Sequence, residues 1–349
     1  MSDLRLLQVG IGSWGSSWLD VVQKSEGFTL AGIVSQHFEA TTEAAERTGA
    51  TAYPTIEAAL EVRDEFDAVL VVTPPENHAP VAIASLAAGL PVLIEKPLAP
   101  TLDDARRIIA ASEASGAIAM VSQNYRFKRA PRTVQRLIAE GVIGEVQQVF
   151  VNFQKAPHFE GFRVEMEEPL IVDGMAHQLD QIRGVVGLEP TVLRARSWNP
   201  SWSEFAGNAS VALDVECAGG ARVLYTGSWA SRGETTSWDG DWDIQGERGA
   251  IAWRNNQITI TFTSLFDTVF LAGALENAGV MQVSLDVLDV EERLGVLAEF
   301  RRAIVSGRSP ETDVRDNIGS LQLILATLES ARHDGDPVTL QSAAALLAG

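Results

Sequence analysis

Between Leu4 and Gln123, short apolar runs alternate with stretches whose apolar residues recur at helical spacing. This alternation constrains the fold more than any other feature of the chain. The apolar runs are Leu4–Val9, Phe28–Val34, Ala68–Thr73, Pro91–Lys96 and Ala117–Ser122. Between them lie Gly15–Ser25, Ala40–Gly49, Thr55–Glu61, Asn77–Gly89 and Thr101–Ser115. Continuous apolar runs of strand length, each followed by an amphipathic helix, predict an α/β fold with a parallel sheet covered on both faces. Thr101 with Asp104 gives a capping signal at the start of one helix. Gly89 and Gly116 are stop signals for two of them.

The first strand-to-helix turn reads Gly10-Ile11-Gly12-Ser13-Trp14-Gly15, a G-x-G-x-x-G pattern. The first glycine allows the tight turn, the second lets a pyrophosphate approach the backbone, and the third lets helix and strand pack closely. In this strand–turn–helix setting the pattern predicts a Rossmann dinucleotide-binding domain over residues 1–124. A glycine-rich turn kept only for packing is the competing reading. At the end of the second strand Ser35 and Gln36 stand where an acid would bind the ribose 2′-hydroxyl, and no Arg or Lys follows until Arg47. NAD and NADP therefore both stay open. Thr73-Pro74-Pro75 makes a stiff wall at the sheet edge, suited to a flat ring. His78 stands near a helix start, where an imidazole contacts phosphate or ribose or simply packs.

The run Pro91–Ile94 ends abruptly in Glu95, Lys96 and Pro97. Ligands of open α/β sheets sit at the carboxyl ends of the strands, so this carboxylate and ammonium stand where chemistry is done. A salt-bridged pair in a surface loop is the alternative.

After Asn124-Tyr125-Arg126-Phe127 the pattern changes. Strands are predicted at Glu145–Gln154, Thr191–Trp198, Ala209–Glu216, Ala221–Trp229, Asp241–Gly246, Ala250–Arg254 and Gln257–Phe262. Turns at Cys217–Gly220 and Glu247–Gly249 mark hairpins. With helices at Arg129–Glu140, Val287–Ser306 and Val314–Ala331, residues 125–349 read as an α+β domain with a large, mostly antiparallel open sheet. Within it, Ile171–Arg183 reads as one helix that places Asp173, His177 and Asp180 on a single face. A carboxylate one turn from an imidazole supports a proton-transferring histidine. An N-cap, a core histidine and a surface charge would use the same residues. Six tryptophans in this half, Trp198, Trp202, Trp229, Trp238, Trp242 and Trp253, suit either sugar stacking or a sheet core.

Lys and Arg number 27 against 46 Asp and Glu, a net charge of −19, which disfavours nucleic acid as a partner. The single cysteine, Cys217, excludes an intramolecular disulfide and a cysteine-based metal cluster. No metal site is expected, since no second His or Cys cluster lies near His177. No signal peptide and no apolar run of spanning length is evident, so a cytoplasmic protein without membrane contact is expected.

Taken together, the motifs resemble those of the Gfo/Idh/MocA oxidoreductases, the glucose–fructose oxidoreductase and inositol dehydrogenase family. The resemblance covers the turn at Gly10–Gly15, Thr73-Pro74-Pro75 with His78, Glu95-Lys96-Pro97, Asn124–Phe127, the Asp173…His177…Asp180 segment, Ile244–Gly249, and Asp316 with Ser330. It implies hydride transfer between NAD or NADP and a sugar, polyol or related hydroxy compound. Lys96 is implied as the catalytic lysine, His177 as the acid/base and Asp173 as its partner, with the site between the two domains. Cofactor contacts are implied at Gly10, Ile11, Gly12, Ser13, Trp14, Gly15, Ser35, Gln36, Thr73, Pro74, Pro75, His78, Glu95, Lys96 and Asn124. Gln154, His158, Arg163, Trp229 and Trp238 are candidate substrate contacts, and self-association as a homodimer or homotetramer through the second sheet is usual in the family. A nucleotide-binding sensor without turnover is an alternative function. So is an enzyme that uses the cofactor only transiently, for sugar elimination or glycoside cleavage.

Overall fold

A computed structural model of the chain describes residues 3–263 and 279–348. The chain divides into two compact units. One gathers Met1–Phe127, Val290–Leu321 and Ala343–Gly349; the other comprises Lys128–Asp289 and Gln322–Ser342. Residues 290–321 and 343–349, read above with the second domain, thus group with the first.

In the first unit six strands are all parallel: β1 (Leu4–Val9), β2 (Phe28–Val34), β3 (Thr51–Tyr53), β4 (Ala68–Val71), β5 (Val92–Glu95) and β6 (Ala119–Ser122). Their order is β3-β2-β1-β4-β5-β6, the doubly wound arrangement whose direction of winding reverses between β1 and β4. Ligands of such sheets bind at that reversal. Leu6, Leu70, Leu93 and Met120 face Trp18, Leu19 and Val22 of helix Ser13–Lys24 and Val296, Leu297 and Phe300 of helix Glu292–Ser306. Phe300 stacks on Phe28 with centroids 6.1 Å apart. The residues that alternate with these, among them Leu7, Val69, Val71, Val92 and Ile94, are buried too, so both faces of the sheet are covered. The outer edge of β6 is partly closed by the chain itself: Val121 N–H donates to the Thr312 carbonyl at 2.9 Å.

One helix begins later than expected, and one strand is not anticipated. Helix Val287–Ser306 starts five residues later, at Glu292. The edge strand β3 is not apparent from the sequence pattern, because it has three residues and Thr51 is exposed.

The second unit holds nine strands: β7 (Val146–Gln154), β8 (Pro190–Trp198), β9 (Ser210–Cys217), β10 (Arg222–Ser228), β11 (Asp241–Gly246), β12 (Gly249–Arg254), β13 (Gln257–Phe262), β14 (Val280–Val283) and β15 (Val338–Thr339). Their order is β14-β13-β12-β11-β7-β10-β9-β8-β15, antiparallel throughout except for the parallel pair β7–β10. One face carries the core. There Val149, Val151 and Phe153 of β7 join Val211, Leu213 and Val223 under Val134, Leu137, Leu179 and Ile182 of two helices, Arg129–Ala139 and Ala176–Gly184. Trp242 and Trp253 stack at 5.7 Å within this core, and Trp229 is buried as well. Trp198, Trp202 and Trp238 are exposed. Half of the tryptophan cluster therefore serves packing.

Ile171–Arg183 is not one helix. Leu170–Gly174 winds as a π turn closed by Met175 N–H onto the Leu170 carbonyl, and the α-helix begins at Ala176. A Cβ on Gly174 would lie 2.5 Å from the Trp229 ring, so the turn takes glycine there and the indole occupies the space. The wider turn carries Asp173, and such turns often mark functional positions. Asp180, one reading of which was a surface charge, is 1% exposed.

Candidate active site

The parallel registers bring the candidate cofactor residues into line. Val9 pairs with Val34 and Val71, Val71 with Ile94, and Glu95 with Ser122. Gly10, Ser35, Thr73, Lys96 and Asn124 each follow a strand end, so they lie along one carboxyl edge.

The three glycines of the first turn differ in what fixes them. Gly10 has φ +107°, and a Cβ on it would sit 2.5 Å from the Val72 carbonyl oxygen. At Gly15 a Cβ would meet the Gly10 carbonyl at 2.5 Å. Around Gly12, by contrast, a Cβ would meet no protein atom within 4 Å. Protein packing therefore explains Gly10 and Gly15, while the open space at Gly12 is available to a ligand. Helix Ser13–Lys24 starts with no side-chain cap and no acid in its first turn. Its leading N–H groups and positive dipole end are thus left for an outside anion. At the neighbouring edge the buried Thr73 hydroxyl has no hydrogen-bond partner among the described residues. These features fit the diphosphate and ribose of a dinucleotide.

A residue not singled out from sequence holds the turn. Gln8, fully buried in β1, donates from Nε2 to the carbonyls of Gly10 at 3.0 Å and Gly15 at 2.8 Å. Its signal in the sequence is a lone amide within the apolar run Leu6–Val9. Trp18, one helical turn after Trp14, donates from its indole to Glu95 Oε1 at 2.9 Å, and the Lys96 N–H donates to Glu95 Oε2 at 3.0 Å. The buried Glu95 carboxylate thereby fixes the main chain from which the Lys96 side chain projects. The Lys96–Pro97 peptide is cis. Arg293 stacks over the rings of Trp14 and Trp18 at 4.7 and 5.2 Å and donates to Ser17 Oγ at 2.7 Å. Burial lowers its pKa against the opposing charges of Glu95, Glu292 and Asp20. Nothing in the local sequence announces Arg293, since it arrives from the far end of the chain.

Of the two readings of His78, ligand contact or packing, its surroundings fit packing. It is 1% exposed, and its ring nitrogens lie 2.9 Å from the Pro97 carbonyl and 3.0 Å from that of Thr73. Burial lowers its pKa more than the two carbonyls raise it. With both nitrogens turned to main chain, His78 ties the turn after β4 to the turn after β5 and presents neither nitrogen to a ligand.

In the second unit Asp173 and His177 share the π turn and the helix that follows. Asp173 Oδ2 accepts from Arg163 Nε at 2.6 Å, and the Arg163 guanidinium lies over Phe159 at 5.3 Å and Phe162 at 4.9 Å. Phe159 packs in turn on Trp229 at 5.1 Å. Of the candidate substrate contacts, Arg163 thus engages Asp173, Trp229 lies beneath the π turn, and His158 projects outward in an exposed pair with Glu204 at 3.1 Å. Gln154 donates to Asn152 Oδ1 at 2.9 Å. Trp238 accepts on its carbonyl from Gln178 Nε2 at 2.9 Å. Lys155 and the Lys128–Asp239 pair, at 3.1 Å, belong to the same region and are not evident from sequence.

Cys217 is buried and its thiol pKa is pushed up to about 11 by desolvation, with Glu189 adding to it, so it stays protonated and unreactive. Among the described residues no group of three or more His, Cys, Asp or Glu could hold a metal ion. No helix among them is long and apolar enough to cross a membrane.

A doubly wound sheet with a ligand-ready glycine turn defines a dinucleotide-binding class of protein. Residues 4–123 match the oxidoreductase family with an NAD-binding Rossmann fold, and residues 131–252 match the GFO/IDH/MocA C-terminal domain. The chain belongs to the Gfo/Idh/MocA oxidoreductase family. It is 27% identical to a 1,5-anhydro-D-fructose reductase of Ensifer adhaerens, over 93% of this chain and 95% of that enzyme. An inositol 2-dehydrogenase of Corynebacterium glutamicum is 30% identical over 53% of this chain and 54% of its own. The fold matches an Agrobacterium radiobacter oxidoreductase, crystallised with NAD+, L-tartaric acid and magnesium, at a TM-score of 0.85 and 21% identity, covering 99% of this chain and 100% of the other.

Proposed function

We propose that this chain is an NAD(P)-dependent dehydrogenase or reductase acting on a CH–OH group of a sugar, polyol or related hydroxy compound. The observation that carries the reading is the edge of the first sheet, where a glycine turn open at Gly12 and the anchored Glu95-Lys96 pair stand two strands apart. Two relatives support the substrate class, since a 1,5-anhydro-D-fructose reductase and an inositol 2-dehydrogenase both act on polyhydroxylated small molecules.

A bound nicotinamide supplies the hydride acceptor or donor. The chain must then manage a proton and a developing negative charge. His177 takes the hydroxyl proton on oxidation and returns it on reduction, an exchange suited to an imidazole near neutral pH. The Lys96 ammonium stabilises alkoxide character on the same oxygen. Asp173 supports the imidazolium. The turn Gly10–Gly15 holds the diphosphate, Ser35 and Gln36 the adenosine ribose, and Thr73, Pro74, Pro75, Glu95 and Asn124 the nicotinamide side. Self-association as a homodimer or homotetramer would use the uncovered face of the second sheet, where Phe150 and Leu224 lie in register and exposed on β7 and β10.

Sugars and polyols are screened with NAD and NADP separately, following the absorbance of the reduced nicotinamide. Lys96→Ala and His177→Ala should each slow hydride transfer by about 10²–10⁴-fold with nucleotide affinity nearly unchanged. Wild-type rates in either variant would remove that residue from the mechanism. Tight nucleotide binding without turnover of any compound would replace the enzyme with a binding protein.

A further inference from the structure

Lys155 follows directly on β7 in the same unit as His177, and its main chain is stitched on both sides. Its N–H donates to the Ser228 carbonyl at 2.8 Å, and its carbonyl accepts from Ser231 N–H at 3.0 Å. The side chain is equally placed. Nζ donates to the Thr236 carbonyl and lies 5.1 Å from the centroid of the Trp238 ring. The Trp238 carbonyl accepts from Gln178, the neighbour of His177 on helix Ala176–Gly184. Ammonium, indole and the histidine-bearing helix are thus linked by consecutive contacts.

The charge balance of this cluster is incomplete. Among the described residues no carboxylate forms an ion pair with Lys155. Asp239, the acid whose charge acts on it, is bonded to Lys128 at 3.1 and 3.2 Å, and Asp173 is bonded to Arg163 at 2.6 Å. Partial burial takes some of the water from the ammonium and lowers its pKa, with the charge of Asp239 opposing the shift. An ammonium carries three donors, of which one carbonyl uses one. A partly desolvated cation of this kind is stabilised when an anion arrives with its own hydrogen-bond acceptors. The chain as a whole carries −19, so a cation without its own acid beside the His177 helix stands out against its surroundings.

We propose that Lys155 recognises a carboxylate on the substrate, and that the enzyme acts on a sugar acid, such as a uronate or aldonate, in preference to a neutral sugar. This rests on the dehydrogenase reading above and narrows it. Trp238 offers its face to the C–H groups of the same ligand, beside the ammonium that holds its acid group.

The test compares D-glucuronate with D-glucose, and D-gluconate with D-glucitol, in wild type, Lys155→Met and Lys155→Arg. Lys155→Met keeps the aliphatic packing on Trp238 and removes the charge together with the bond to the Thr236 carbonyl, and Lys155→Arg keeps the charge. Wild type should favour the acid of each pair, Lys155→Met should erase that preference by at least about tenfold in kcat/KM, and Lys155→Arg should restore part of it. Tryptophan fluorescence with NAD present gives a readout independent of turnover: D-glucuronate should quench wild type, and neither Trp238→Phe nor Lys155→Met. Turnover of the neutral sugars with no preference for the acids would overturn this inference and leave the dehydrogenase reading intact. Equal losses for acid and neutral compounds in Lys155→Met would also overturn it, reducing Lys155 to a clamp on Thr236. Should no compound turn over, the dehydrogenase reading falls, and quenching that ignores either the acid group or Lys155 removes the carboxylate site as well.

Discussion

The two units build their candidate sites by different means. Along the edge of the parallel sheet, positions are set by main chain: strand ends in register, a glycine at φ +107°, and Gln8 bonded to two carbonyls. Around Asp173 the positions are set by side chains on distant segments: Arg163 on Asp173, Trp229 under Gly174, Lys155 on Trp238. A main-chain scaffold accepts one kind of ligand and tolerates few changes. Side-chain scaffolds change one residue at a time, which lets related chains keep a cofactor and alter what they oxidise.

Mutations can break that contrast. The largest effect is expected at Phe300, whose ring completes the core beneath the nucleotide edge: Phe300→Ala should cost about 3–5 kcal/mol in chemical denaturation and weaken nucleotide binding with it. Gly10→Ala comes next, at roughly 3 kcal/mol, because the new Cβ meets main chain at a backbone angle side chains avoid. Gly12→Ala sharpens the point. The melting temperature should hold while nucleotide affinity, measured by calorimetry, falls; a destabilised Gly12→Ala protein would show that packing and not ligand reserves that space.

Smaller effects are expected from the side-chain supports. Trp18→Phe leaves Glu95 Oε1 without its indole donor in a buried place and should cost about 2 kcal/mol by urea denaturation. On the proposed role of Asp173, Arg163→Met should lower kcat/KM roughly tenfold while the melting temperature scarcely moves. A large loss of stability in that variant would mean that the second site is as deeply built into its scaffold as the first.

The same contrast explains what the sequence reveals. Leu4–Val9, Phe28–Val34 and Asp241–Gly246 appear as strands at the expected bounds because their apolar pattern is local and unbroken. The glycine turn is legible because Gly10 and Gly15 answer a main-chain need and Gly12 keeps space clear for a ligand. Short partners leave no such trace: β3, β14 and β15 have two to four residues each and depend on neighbours distant in the chain. The parallel β7–β10 pair is likewise a matter of long-range assembly. Within Ile171–Arg183 the apolar spacing reads as a uniform helix, and only the Trp229 ring lodged against Gly174 accounts for the wider turn. His78 illustrates the opposite limit. Its position beside the sheet edge is legible, yet its orientation toward two carbonyls is decided by residues on both neighbouring turns.

The return of Val290–Leu321 to the first unit sets the order of events during synthesis. A ribosome releases Leu4 through Ser122 long before Val296, Leu297 and Phe300 exist to cover Phe28, Leu70 and Leu93. The nucleotide-binding half must therefore emerge with one apolar flank bare and wait for almost the entire polypeptide, a window in which chaperones have something to hold. A gene cut after residue 127 would make that wait permanent.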